Sequence, residues 1–409
     1  MQSIKDEFNA FTKANPLLSK LQTTIDFSTQ LFYKEHFHDA AIYAKNAINL
    51  IKKHNHPITA AHYLYFAQCF YASNDIKNTL QCTLALLQLE PENINLLTEA
   101  GLYTFLLSDL DKAQQYFLKS YQLDPNNYRA CDGLAHLYGI QNNIEKMRIF
   151  GNTALGLKDK EAFSDQNINN LTKLIGKQYK INSKAPEFNS EQPNKNIISF
   201  SLWGDKTEYI EGAILNATLA PIIYPEWKCR FYCDTSVATN VIDKLRSLGS
   251  EVRVLDKNNL PFFGLFWRFF VAEDPAVDRF IIRDCDCIIN CQERVAVDEW
   301  VASGKHFHIM RDYASHTELI HAGMWGGVRG AIPKTSELIV DYYDHHPKER
   351  TIDQRFLRHY IWPIAKQSKL CHDSHYSFDN STKFNSLGHL PTDVNIGISW
   401  QTFFEKACK

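Results

Sequence analysis

Glu90-Pro91-Glu92-Asn93 recurs further on as Asp124-Pro125-Asn126-Asn127. A chain that repeats at such an interval, about 34 residues, is committed to stacking one supersecondary unit upon the next. The same displacement relates Ala67, Gly101 and Ala135, three small residues where paired helices would cross closely. It also relates Tyr63 to Leu97, and Phe66 to Ala100 and Leu134. Ala113, Phe117 and Pro125 fall where the second helix of a pair and its closing turn would lie. The register covers about three units across residues 60–158. Residues 20–56, with Ala40, Ala44 and Ala47 on one helical face, read as an earlier unit with a small insertion.

This pattern resembles the tetratricopeptide repeat, whose helix pairs stack into a solenoid. The grammar changes further on. All seven tryptophans, Trp203 through Trp400, lie after position 200, whereas residues 1–180 read as helix almost throughout. Residues 181–194 are polar and irregular, with Pro186 and Pro193, and read as a linker. Beyond them apolar strands alternate with helices: 196–203, 228–233 and 251–255 as strands, with helices over 209–219 and 237–248 between. Such alternation predicts a mainly parallel sheet. The expected organisation is therefore α + α/β, a solenoid over 1–180, a linker over 181–194 and a Rossmann-like domain over 195–409.

Composition narrows the function classes. A net charge of -2 and a pI near 6.8 leave no electrostatic footprint for nucleic acid or an anionic membrane. The N-terminal residues lack the basic and apolar regions of a secretory signal, and no run of about 18 apolar residues is present to span a membrane. The ten cysteines are scattered without a C-x-x-C pair, which suits free thiols in a reducing cytoplasm better than zinc or disulfides.

The chemistry concentrates at Arg279-Phe280-Ile281-Ile282-Arg283-Asp284-Cys285-Asp286, a short β-branched apolar run that ends in two carboxylates one residue apart. On a strand, residues i and i+2 share a side, so Asp284 and Asp286 would project together where the strand leaves the sheet. Open α/β sheets bind ligands beyond the carboxyl ends of their strands. Paired carboxylates there repel unless a hard divalent cation joins them, and Mg²⁺ or Mn²⁺ commonly brings phosphate oxygens as further ligands. Solvated turn acids are the alternative origin of such a pair.

Over about residues 195–390 the order of features resembles the GT-A-type glycosyltransferases that use nucleotide sugars. The elements are Ser201-Leu202-Trp203-Gly204-Asp205 after the first strand, Phe266-Trp267-Arg268-Phe269, the Asp284-Cys285-Asp286 motif, Arg311-Asp312, the small residues around Gly323, Asp353-Gln354, and His372 in Leu370-Cys371-His372-Asp373. The resemblance implies that Asp284, Asp286 and His372 hold Mn²⁺ or Mg²⁺. It implies that Ser201, Trp203, Asp205, Arg268, Asp284, Arg311 and Gly323 line the nucleotide-sugar site, with UDP-hexose as donor, and that Asp353, Gln354 and Asp312 serve the chemistry. His375 and His389 stand as alternatives to His372, because the family's full H-F-x-G-x-x-K-P-W pattern is missing. Asp353 also suits a helix N-cap. The implied protein is a cytoplasmic hexosyltransferase acting on a cell-surface glycan such as lipopolysaccharide or capsule. A polypeptide acceptor held by the solenoid is a second possibility, as are other protein partners or self-association through it. A scaffold with an inactive transferase domain is a third, against which the intact Asp284 and Asp286 argue.

Overall fold

The computed structural model describes residues 4–16, 19–177, 179–181, 183–256, 260, 264–388, 390 and 394–407. The chain divides into two compact units, Met1–Phe150 and Gly151–Lys409.

The first unit is built of helix pairs. After α1 (Ile4–Ala14) come α2 (Lys20–Tyr33) and α3 (Phe37–His54), then α4 (Ala60–Ala72) with α5 (Ile76–Leu89), α6 (Ile94–Leu106) with α7 (Leu110–Leu123), and α8 (Tyr128–Ile140) with α9 (Ile144–Ala162). Helices α4, α6 and α8 start at Ala60, Ile94 and Tyr128, and α5, α7 and α9 at Ile76, Leu110 and Ile144, so one interval governs both series. The turns repeat their chemistry as well. Asn74, Ser108 and Asn142 take left-handed φ of 62°, 64° and 56°, a region that short polar residues enter at lower cost than most. Each is followed by a capping residue: Asp75, Asp109 and Asn143 accept from the backbone N–H of Asn78, Lys112 and Lys146. Asn93 and Asn127, the last residues of the recurring tetrapeptides, cap α6 and α8 in the same way. The insertion in the α2–α3 pair falls largely in its second helix, which has 18 residues against 14 in α5 and α7.

Phe66, Ala100 and Leu134 are fully buried at equivalent positions. Close packing surrounds Phe117 of α7. A Cβ on Gly101 of α6 would lie 2.6 Å from its ring, and one on Gly133 of α8 would lie 2.5 Å from it. Glycine at both positions lets one phenyl ring fill the gap between three helices.

The second unit opens within α9, upstream of the segment read as a linker. Lys158 is almost wholly buried, with its Nζ 2.9 Å from Glu318 and 3.0 Å from the Thr317 carbonyl. Asp159 accepts from Trp362 and Lys366 at 2.7 Å. Residues 181 and 183–194 lie along this unit: the Ile181 N–H donates to Gln367, Arg279 donates to the Pro186 carbonyl, and Phe188 faces Trp227. After α10 (Asp165–Ile175) come β1 (Asn196–Leu202), α11 (Thr207–Ile223), β2 (Lys228–Cys233), α12 (Thr239–Ser247) and β3 (Glu251–Val254). A 3₁₀ segment (Gly264–Glu273) precedes β4 (Arg279–Ile282), α13 (Cys291–Ser303), β5 (Phe307–Arg311) and β6 (Trp325–Val328). Then follow α14 (Thr335–His345), α15 (Ile352–Phe356), a π turn (Leu357–Ile361), α16 (Trp362–Ala365), β7 (Lys369–Asp373) and α17 (Trp400–Ala407).

The strands form one seven-stranded sheet in the order β3-β2-β1-β4-β6-β5-β7. Pairing is parallel throughout except for β6, which runs antiparallel to β4 and β5. The protein is thus a helical repeat followed by a mixed, mainly parallel α/β sheet. The whole of β1 is buried, as befits a central strand covered on both faces. The chain lays β2 and β3 on one side of β1, then returns to place β4 on the other. Open α/β sheets bind their ligands in the crevice beside such a reversal, which here falls at the carboxyl ends of β1 and β4. Among the described residues no helix is long and apolar enough to cross a membrane.

Candidate functional site

β4 ends at Ile282, two positions before the first carboxylate. Asp284 and Asp286 therefore do not share one side of a strand, as the apolar run predicts. They occupy a turn in which the Cys287 N–H donates back to the Asp284 carbonyl at 3.3 Å. Just before the turn, the buried Arg283 guanidinium reaches Glu293 at 3.3 Å and the Ile282 carbonyl at 2.7 Å. The Cys285 thiol donates to the Ser201 carbonyl at the end of β1, 3.2 Å away. The turn is thereby tied to both strands that flank the crevice.

Arg268 is the hub. Its backbone is clamped to β1, with the Ser199 hydroxyl donating to the Arg268 carbonyl at 2.7 Å and the Arg268 N–H donating to Ser201 Oγ at 2.9 Å. Its buried guanidinium donates to Asp284 Oδ1 and, at 3.0 Å, to Asp353 Oδ2. Burial disfavours the charge on Arg268, but the two carboxylates outweigh it and raise its pKa. Asp353 sits inside the first turn of α15, where Thr351 occupies the N-cap position. It is ion-paired with Arg268, and its second oxygen accepts from the Gln354 N–H at 2.9 Å. Gly323 lies against Asp284, since a Cβ there would fall inside the contact distance of Oδ2.

Charge is incompletely compensated here. Burial first, and the neighbouring Asp284 second, push Asp286 up to about 6. Burial likewise pushes Asp353 up to about 6, against the opposing pull of Arg268. Two oxygen donor groups held together at the cost of mutual repulsion suit a hard divalent cation, which would complete its shell with water and phosphate oxygens. Among the described residues no group of three or more His, Cys, Asp or Glu side chains is placed to hold an ion.

The sequence-predicted residues fall into two sets. Ser201, Arg268, Asp284, Asp286, Gly323, Asp353 and Gln354 are brought to the crevice, with Ser201 acting through the Arg268 backbone. Trp203 and Asp205 follow β1 on its exposed carboxyl end. Trp203 meets Trp267 edge-on at 6.0 Å, over Gly264, where a Cβ would lie 2.5 Å from the indole. The Gly204 N–H donates to Ser236 Oγ at 2.7 Å.

Arg311, Asp312 and His372 are engaged elsewhere. Arg311 is fully buried against Asp373 at 2.8 Å and the Leu319 carbonyl at 3.1 Å. Asp312 accepts from Gln292, from Ser374 and from the Ile396 N–H. His372 is on β7, the edge strand three places from β4, with one ring nitrogen 2.9 Å from His308 and the other 2.8 Å from Glu299. The His375 N–H donates to Asp373, and His389 lies outside the described residues. Two residues not singled out from sequence do face the pair. Tyr209, in the first turn of α11, has its pKa raised by burial and then by Asp286 and Glu208. Trp400 donates its backbone N–H to the Asp286 carbonyl at 2.8 Å. Tyr209 has a findable signal, its place just after the strand at the sheet's reversal; Trp400 has none in local sequence.

No protein-family model matches the chain, and no curated protein matches it. Solved structures similar to part of it include a crystal structure of MamA, 16% identical, covering 39% of this chain and 90% of that one with a TM-score of 0.32. Others are a tetratricopeptide repeat protein from Parabacteroides merdae (17% identity, 43% and 73% coverage, TM-score 0.31) and YrrB, described as a TPR protein with an unusual peptide-binding site (14% identity, 40% and 80% coverage, TM-score 0.28). These likenesses are slight, and the helix-pair fold rests on its own regular spacing.

Chemically, the crevice offers an acidic pair able to take a cation, a buried guanidinium that fixes one member of the pair, and a buried carboxylate on the far side of that guanidinium. An exposed indole stands at the end of β1. Together they suit a ligand with a flat apolar ring, a polyanionic middle and a polar end.

Proposed function

We propose that the second unit is a metal-dependent glycosyltransferase domain that moves a hexose from a nucleotide sugar, with UDP-hexose as the donor class, to a glycan acceptor in the cytoplasm. The observation that carries this is the position of the Asp284–Asp286 turn at the sheet's reversal, linked through Arg268 to Asp353. Asp284 and Asp286 would hold Mn²⁺ or Mg²⁺, and the ion would neutralise charge building on the departing diphosphate. Arg268 aims Asp284. Trp203 supplies a face for the base, since aromatic side chains stack on bases with little regard to their identity. Asp353 and Gln354 would border the sugar, where a carboxylate stabilises the positive character that develops at the anomeric carbon.

The test is calorimetry of UDP binding to the full chain with and without Mn²⁺, on wild type and Asp286→Ala. Metal-dependent affinity in wild type and its loss in the variant, with the variant melting no lower than wild type in chelator, support the assignment. Equal affinity in both proteins, or binding indifferent to metal, would remove it.

A further inference from the structure

The chain returns to the carboxylate turn close to its end. Besides the hydrogen bond from the Trp400 N–H to the Asp286 carbonyl, Cys287 forms an antiparallel bridge with Ser399, and its thiol donates to the Gly397 carbonyl at 2.9 Å. The Trp400 indole N–H donates to the Glu208 carbonyl at 2.9 Å, which lays the ring on the first turns of α11. Gly212 marks the crossing: a Cβ there would sit 2.9 Å from Trp400 Cδ1 and would collide with the Cys285 carbonyl. Upstream the segment is anchored as well. The Ile396 N–H donates to Asp312 Oδ2 at 3.0 Å, and the Ile396 side chain is fully buried among Met310 and Met324. Residues 396–400 are therefore fixed at one end in the core and at the other to the backbone of the acidic turn.

A turn that carries two adjacent carboxylates tends to splay, because the charges repel. Hydrogen bonds to the backbone of 286 and from the side chain of 287 oppose that tendency before any ligand arrives. We infer that the segment 396–400 is a clasp that holds Asp286 in its binding geometry, and that Trp400 is its positioning residue. This rests on the metal–nucleotide reading of Asp284 and Asp286. It also accounts for Asp312, whose carboxylate secures the upstream end of the clasp.

Trp400 is the first residue of α17, a position where proline fits a helix. Trp400→Pro thus deletes the N–H that reaches Asp286 while leaving the helix able to form. Trp400→Phe keeps that N–H and a ring but loses the bond to Glu208. With MnCl₂ and UDP titrated into the full chain, Trp400→Pro should weaken binding by about tenfold or more, and Trp400→Phe by less than about threefold, as expected when an outer support of a ligating group is lost or kept. Hydrogen exchange tests the clasp without any ligand, since residues 283–290 should exchange faster in Trp400→Pro than in Trp400→Phe. If wild type binds UDP and Mn²⁺ but the two variants bind and exchange alike, the clasp is wrong. If wild type binds no nucleotide while the exchange difference persists, the nucleotide reading fails and the clasp stands.

Discussion

In the helical unit the same positions carry the same burden from one repeat to the next: a small or apolar residue at 66, 100 and 134, a left-handed turn residue at 74, 108 and 142, and a capping side chain immediately after. The sheet unit has no such economy. Its uncompensated features gather at the end of β4, where a buried arginine is shared by two carboxylates and a third, Asp286, pairs with no cation among the described residues. Stability in the first unit is spread over many similar contacts, as expected for a quasi-one-dimensional stack. In the second it is locally compromised at one crevice, and such exceptions in otherwise consistent proteins tend to mark sites of function. All seven tryptophans lie in the sheet unit, so intrinsic tryptophan fluorescence follows that unit alone while far-UV dichroism follows both. That asymmetry makes the comparison measurable.

The largest effect should follow Arg268→Met. It leaves Asp284 and Asp353 without their shared cation, and breaking a buried ion pair from one side costs roughly 3–5 kcal/mol. The fluorescence-detected transition should move to lower denaturant, while the part of the dichroism change owed to the helical unit stays in place. A variant that unfolds like wild type would mean that the hub carries no weight. Gly101→Leu makes the complementary cut. Its side chain would overlap the Phe117 ring, and overpacking of this kind costs roughly 1–3 kcal/mol. The dichroism transition should shift and the fluorescence transition should not.

What is legible in the sequence follows the same division. Repetition exposes the helical unit because each feature occurs at a fixed offset, so Asn93 and Asn127 identify each other. The acidic pair is visible as a local pattern, although not in its actual turn, which is tied to Ser201 and to the Trp400 N–H by tertiary contacts. The resemblance, which places a metal-binding histidine late in the chain, suggests His372 as a partner of the acidic pair. Its surroundings are set instead by strand order, which puts β7 beyond β6 and β5, and by the pairing with His308 and Glu299. Arg311 and Asp312 are likewise placed by tertiary contacts: charged residues at the end of β5 serve Asp373, Gln292 and the returning chain near Ile396. Trp400 is invisible because nothing near it in sequence refers to Asp286.

A smaller effect, read in rate, is expected from Asp353→Asn. The structure removes the capping explanation, since Thr351 holds that position and Asp353 is buried against Arg268. If its charge faces the developing cation of the sugar, turnover should fall by about tenfold, or roughly 1.4 kcal/mol, with nucleotide affinity retained. Wild-type turnover would leave Asp353 as a structural partner of Arg268 and nothing more.

The smallest effect is the most discriminating, because its sign changes with conditions. Asp286 has a folded pKa of about 6, above the ordinary carboxylate value of 3.8. Between those values the native state holds more protons than the unfolded one, so wild type loses stability as pH rises through the window from about 4 to about 6, and the loss is constant above it. Asp286→Asn has no such proton to lose. In chelator the variant should match wild type below about pH 4, gain on it through the window, and stay ahead at pH 7 by an amount on the order of 1 kcal/mol, less than the full shift implies because the side chain is only partly shielded from solvent. Adding Mn²⁺ at pH 7 should reverse the order. A cation that binds the native turn stabilises wild type by mass action and offsets the repulsion of the ionised pair, whereas the variant has lost a ligand. Fluorescence-detected melting of both proteins across pH, with and without the metal, reads all of this in the sheet unit. A variant that stays ahead in Mn²⁺ would show that the acidic pair holds no ion, and its repulsion would then be a cost without a use.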